Sequence, residues 1–499
     1  MPLASETDPL LALREKLLAQ SARFESSETL VSVARRRGSG ARGRPVLRSA
    51  SFIPAAVSQM RLAMQLDGSQ WPEPSERERR TARRLMFALN MAVLWAYHSL
   101  LSAQALYELR WPSSHLSFVG TVACTGTMAL GQLLLLATGV GARAQFSVRL
   151  IGGFLAFAAV GVMLLARPSV LNLVLAFGAT GLLNTLTESP LYSIAAQCWP
   201  DEELTAALNA GSGAAGAANT LILALIRLAT VARARARTGA GTAEPLADGA
   251  SALQLANSAF LVVMVLVSVL AVGLSCALLR LPTIRARAQA RLAVARADGA
   301  GGLRALLLAP RTTLAVECAP YLAVWPLVRT AASCQLCVLV VTLMLWPGIA
   351  CAALPPSWAE RGLAAWWCSP AVIGCFNAAD LAGRVLAARP MVARALPLRR
   401  CAQLTAARAL LALPLALAAR SANSHGMIPF ASPAAGVLGS VLALGVSNGL
   451  LATRTMCIGP ELVPEEARGV AAGVMVLALY WGIAIGAIAG LAYGELSLF

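Results

Sequence analysis

The sequence predicts an all-α polytopic membrane protein with about eleven transmembrane helices. Its 499 residues are 58% hydrophobic and only 13% charged, whereas soluble domains carry roughly 25% charged residues. Apolar runs of about 20 residues recur along the chain, each able to cross a hydrocarbon core of about 30 Å as a helix. Arginines gather between those runs, as they do in loops on the cytoplasmic face. A large soluble helical protein would not be so poor in charge.

Residues 1–84 are polar, rich in arginine and serine, and include 35-RRRGSGARGRP-45. They read as a disordered cytoplasmic tail. No apolar core of a cleavable secretory signal follows Met1. Spanning runs then fall near 85–106, 117–138, 148–166, 169–197, 203–230 and 256–280, and near 331–354, 365–388, 402–420, 431–456 and 469–496. Arg77, Arg79, Arg80, Arg83 and Arg84 abut the first run and place the amino terminus in the cytoplasm. The loops after the sixth run (Arg285, Arg287, Arg291, Arg296, Arg304, Arg311) and after the eighth (Arg389, Arg394, Arg399, Arg400) then lie on the same side. The segment 233-RARAR-237 disagrees with that scheme. Six spans over 85–281, a cytoplasmic arginine-rich loop over 282–330 and five spans over 331–499 put the carboxyl terminus outside or in a lumen.

Several function classes find no support. The net charge of +17 could suggest a nucleic-acid binder, but the arginines sit in the tail and loops with few aromatics between them. The eleven cysteines fall mostly inside apolar runs, where they act as small hydrophobes. Cys334 and Cys337 have CxxC spacing, yet no second pair or histidine cluster accompanies them. The three histidines are dispersed. Gly211, Gly213 and Gly216 spell GxGxxG without the strand and acidic residue that a dinucleotide site requires, and they read as helix-packing positions. No Walker motif or hydrolase triad stands out. An enzyme, a metal and a cofactor are therefore not expected.

Ionisable groups within spanning helices are costly and mark cavities or pairs. Asp380 and Arg384 are four residues apart, so their side chains share a helix face and can pair. Asn377, three residues before Asp380, shares that face. Such a surface suits a polar, uncharged solute, while a buried pair locking two helices is the alternative. Glu188 lies deep in the fourth run, with Asn184 a turn before it and Pro190 loosening the helix beyond it. An acid at that depth needs a partner or a proton: it binds a donor, carries a coupling proton, or sits nearer a wet cavity mouth.

These residues belong to longer motifs. The segment 376-FNAADLAGRVL-386 resembles the FN-x-x-D-x-x-GR element in span eight of the equilibrative nucleoside transporter family. In order along the chain, 341-VTLMLWPGI-349, 447-SNGLLATRTMCIGPELV-463 and 466-EARGVAAGVM-475 resemble that family's seventh-, tenth- and last-span elements. In the amino half, 147-SVRLIGG-153 and 209-NAGSGAAG-216 resemble weaker third- and fifth-span motifs.

The resemblance implies a carrier of nucleosides, nucleobases or both, with a major-facilitator-like six-plus-five arrangement working by alternating access around a midplane site. It implies substrate contacts from Asn377, Asp380 and Arg384, with the acid and guanidinium recognising ribose hydroxyls, and from Trp346 and Asn448. Two places depart from the family. Ala96, Tyr97 and His98 stand where it has Pro-Trp-Asn, and Glu188 is nearest to where it often has a base-contacting Gln. Both His98 and Glu188 can titrate, so the energy source is open between facilitated diffusion and proton symport. A major facilitator-type carrier of another polar solute is the competing class, although 139-GVGARAQFSVR-149 lacks that group's acid and doubled basics. A non-transporting receptor on a degenerate carrier fold is the other.

Overall fold

The structure, a computed structural model, describes residues 74–102, 111, 116–198, 202–238, 245–297, 314–346, 350, 371–415 and 433–497. Most of the expected tail, residues 1–73, lies outside the described residues, as do the parts of the expected spans at 351–354, 365–370 and 416–420.

A helix occupies each of the eleven runs. They are α1 (Glu76–Ser102), α2 (Leu116–Ala137), α3 (Phe146–Ala166), α4 (Val170–Cys198), α5 (Glu203–Thr238), α6 (Pro245–Leu279), α7 (Leu314–Leu345), α8 (Ile373–Ala387), α9 (Leu398–Arg408), α10 (Pro433–Glu461) and α11 (Arg468–Ser497). Seven of them, α2, α3, α4, α6, α7, α10 and α11, are long and apolar enough to cross a membrane within the described residues. α8 and α9 are short there, with 15 and 11 residues. Leucines and isoleucines such as Leu134, Leu171, Leu225, Leu266, Leu322 and Ile488 point outward and are exposed, an apolar girdle that a bilayer would cover.

Several boundaries differ from the sequence reading, among them the end of α5 at Thr238 and the start of α6 at Pro245. α1 begins at Glu76, nine residues inside the expected tail. The stretch is polar but helical for electrostatic reasons: Ser75 Oγ accepts from the Glu78 amide at 3.2 Å, and Arg80 pairs with Glu76 one turn away at 3.0 Å. Within the expected cytoplasmic loop, Pro282–Ala297 is a helix. Its alanine and arginine content favours that state, proline suits its first position, and Glu78 Oε1 accepts from the Thr283 amide at 3.0 Å. α7 starts at Leu314, well before residue 331, and contains Pro320 and Pro326. Proline is a poor stop signal in a membrane helix, where neighbouring elements satisfy the freed backbone groups.

The helices pack as two groups. α1–α6 associate through the pairs α1/α5, α2/α4, α3/α6 and α1/α6, and α7–α11 through α7/α11, α8/α10, α7/α10 and α7/α9. The groups meet where α5 crosses α8 and where α2 and α4 meet α11. Backbones approach closely at α8/α10: a Cβ on Gly383 would collide with the Val446 carbonyl, and one on Gly449 with the Asp380 carbonyl. Small residues at these crossings let the backbones touch, which is how helices associate in lipid.

At the end where α4 and α10 finish, charges tie the groups together. Arg454 of α10 pairs with Glu202, which precedes α5. Arg287 of the connecting helix pairs with Glu465 at 3.1 Å and donates to the Gln197 carbonyl at the end of α4.

Candidate functional site

Between the two groups lies a cavity of about 130 Å³. All eight residues singled out from sequence line it: Tyr97 and His98 from α1, Glu188 from α4, Trp346 just after α7, Asn377, Asp380 and Arg384 from α8, and Asn448 from α10. Their helices are the ones with small or polar faces. α5 supplies Gly213 and Gly216, where added Cβ atoms would press against Arg384 and against Asn377 and His98. The GxGxxG sequence thus serves helix contact at the cavity wall.

Asp380 is the centre of a polar chain. Arg384 Nε donates to Asp380 Oδ2 at 2.7 Å, and Asn448 Nδ2 donates to Asp380 Oδ1 at 2.7 Å. The Thr342 hydroxyl of α7 lies 2.7 Å from Asn448 Oδ1 and 2.7 Å from the Val338 carbonyl, and its single proton serves one of them. Behind it, Arg408 of α9 donates to Thr342 Oγ1 at 2.7 Å, to Ser447 Oγ at 2.8 Å and to the Leu444 carbonyl at 2.9 Å. The acid, its guanidinium partner and its amide therefore stand in a fixed orientation, one edge against the cavity. Charge-assisted bonds of this kind are the strong ones in a dry interior.

Three of the cavity's side chains reach across to the opposite group. Arg384 Nη1 lies 3.2 Å from the Asn209 carbonyl and 3.3 Å from its side-chain oxygen on α5. Asn377 donates to the Gly216 carbonyl at 3.1 Å and to Thr220 Oγ1 at 2.8 Å, also on α5. Glu188 is buried, 3% exposed, and accepts from Tyr480 of α11 at 2.6 Å.

The aromatic walls are paired. Trp346 stacks on Phe376 with ring centroids 4.1 Å apart and planes at 18°, while Tyr97 and His98 meet edge to face at 5.6 Å. Flat, apolar faces beside convergent polar groups are the usual composition of a small-molecule site.

Sequence reasoning missed Arg408, Tyr480, Gln335 and Asn209. Arg408 was available to it: a buried base inside an apolar run raises the same question as Arg384. The other three carry no charge and could be found only through contacts between helices.

Fold and site together define a class: a helical membrane protein of two packed groups with a polar, aromatic-walled cavity between them. Residues 311–493 match the family model described as nucleoside transporter. That stretch contains α7 to α10, most of α11 and five of the eight residues, and it leaves the weaker motifs of the amino half outside. A solved structure of a major facilitator superfamily proton:xylose symporter bound to 6-bromo-6-deoxy-D-glucose aligns with 89% of this chain and 90% of its own, at 12% identity and a TM-score of 0.44. No curated protein matches the chain.

Proposed function

We propose that the protein carries nucleosides across a membrane by alternating access of its central cavity, moving the α1–α6 group against the α7–α11 group. The observation that carries this reading is the Asp380–Arg384 pair, braced by Asn448 and edge-on to the cavity. Ribose presents two adjacent hydroxyls, each able to donate and accept, and an acid beside a guanidinium complements both. Asn377, Trp346, Tyr97, His98 and Glu188 complete the contacts. The match of residues 311–493 to nucleoside transporters supports the same substrate class. In this reading all eleven helices span the membrane, the amino terminus is cytoplasmic and the carboxyl terminus lies on the other side.

Uptake of radiolabelled adenosine, uridine and hypoxanthine in transport-deficient cells tests the proposal. Saturable uptake of the two nucleosides is expected, and no uptake of any of the three with the protein at the cell surface would refute it. Hypoxanthine alone would move the substrate class to nucleobases.

The transport is facilitated diffusion. Both cavity carboxylates are engaged by donors of the protein itself, Asp380 by Arg384 and Asn448 and Glu188 by Tyr480, so neither requires a carried proton. Uptake should hold steady under a protonophore and between about pH 5.5 and about pH 7.5, the range in which imidazole titrates. A rate that rises in acid and is flattened by Glu188→Gln would establish proton symport instead.

A further inference from the structure

The cavity lining includes an amide that no motif pointed to. Gln335 of α7 is fully buried and lines the cavity. One end of its amide is held: Thr455 of α10, also fully buried, donates to Oε1. The other end, Nε2, has no protein partner. A buried amide with half its capacity unmet costs free energy unless something else meets it.

The Thr455 hydroxyl makes this arrangement adaptable. Its Oγ1 lies 2.9 Å from the Leu451 carbonyl as well as beside the glutamine. With the amide as placed, the hydroxyl donates to Oε1 and the N–H groups of Gln335 have no protein partner. With the amide turned over, Nε2 donates to Oγ1, the hydroxyl proton passes to the Leu451 carbonyl, and Oε1 is the end left without a partner. The protein satisfies either orientation, so a ligand can choose between them.

Gln335 lies two helical turns, about 10 Å, from Thr342 along α7, and Thr342 backs the Asn448–Asp380 cluster. That separation matches the length of a nucleoside. A nucleoside with its ribose at Asp380 and Arg384 would then bring the far edge of its base toward Gln335.

From these observations we infer that Gln335 is a specificity-determining residue that contacts the exocyclic group of the base, and that its Thr455-backed rotation lets it accept amino and oxo groups alike. The 6-amino group of adenosine would donate to Oε1, and the 6-oxo group of inosine would accept from Nε2. The inference rests on the proposal that nucleosides are the substrates.

Purified full-length protein in proteoliposomes provides the test, with adenosine, inosine and purine riboside (which lacks a 6-substituent) competing for uptake of labelled uridine. The wild type should bind adenosine and inosine within about threefold of each other, and purine riboside about tenfold more weakly, the worth of one well-made hydrogen bond. Gln335→Met, similar in volume but unable to bond, should bring adenosine and inosine to the level of purine riboside and leave purine riboside unchanged. Gln335→Glu, an acceptor only when ionised, should favour adenosine over inosine by about tenfold.

These are ratios, so a smaller folded fraction does not move them. An unchanged ranking in Gln335→Met, an equal weakening of all three ligands, or no adenosine preference in Gln335→Glu would overturn the inference and leave the transport proposal standing. A wild type that takes up no nucleoside would overturn both.

Discussion

Arg384 makes one bond within its own helix and others to the opposite group, through Asp380 and Asn209. Losing a charged partner in a dry site costs roughly 1.5–3 kcal/mol per hydrogen bond, so Arg384→Ala should lower nucleoside uptake at least about tenfold. Surface expression should persist, since Asp380 keeps Asn448, while the melting temperature should fall because the buried carboxylate loses its counter-charge. Uptake by the variant at the wild-type rate would make the arginine structural only. Tyr480→Phe strips Glu188 of a donor at 2.6 Å, and a fall in uptake with normal expression is expected. Asn377, Asp380 and Arg384 were legible in the sequence because charged and amide groups are out of place in an apolar run and their spacing fixes a common face. Tyr480 and Gln335 were not, since a tyrosine or glutamine in such a run is ordinary until another helix gives it a role.

On the scale of elements, the α8/α10 crossing tolerates little change. The Gly449 Cα faces the Asp380 carbonyl and Gly383 faces that of Val446. Gly449→Val must push α10 away from α8, at a cost of about 1–3 kcal/mol for overpacking, and would drag Asn448 off Asp380. A lower melting temperature in detergent together with weakened substrate binding is expected, whereas wild-type values of both would contradict the close packing. Helix positions were readable because length and apolarity follow from bilayer thickness. Helix ends were not: α1 gains two turns from acid–base pairing and a serine cap, and α7 continues through two prolines.

For the molecule as a whole, the informative contacts are the ones that join the two groups at the end where α4 and α10 finish. Arg454→Leu removes the bond to Glu202 and should let that end open more often. Cys457 reports on it, being buried with its Sγ 3.9 Å from the Glu202 carbonyl. Site-resolved labelling by a thiol reagent should be faster at Cys457 in the variant, and an unchanged rate would mean the charge pair does not hold that end. The arginine-rich segment between the sixth and seventh runs was legible in the sequence. How the two groups meet was not, because α5/α8 and α2/α11 are distant in sequence and their glycines resemble those of any membrane helix.

The bonds that Arg384, Asn377 and Glu188 make across the cavity bear on the speed of an empty carrier. Rocking the groups apart breaks all three sets, while the bonds from Arg384, Asn448 and Thr342 that orient Asp380 lie within one group and travel with it. A substrate can take over the lost partners as they separate, but an empty cavity has little to offer in their place. Return without cargo should therefore be the slow half of the cycle, and preloading vesicles with unlabelled nucleoside should speed the entry of labelled nucleoside from the other side.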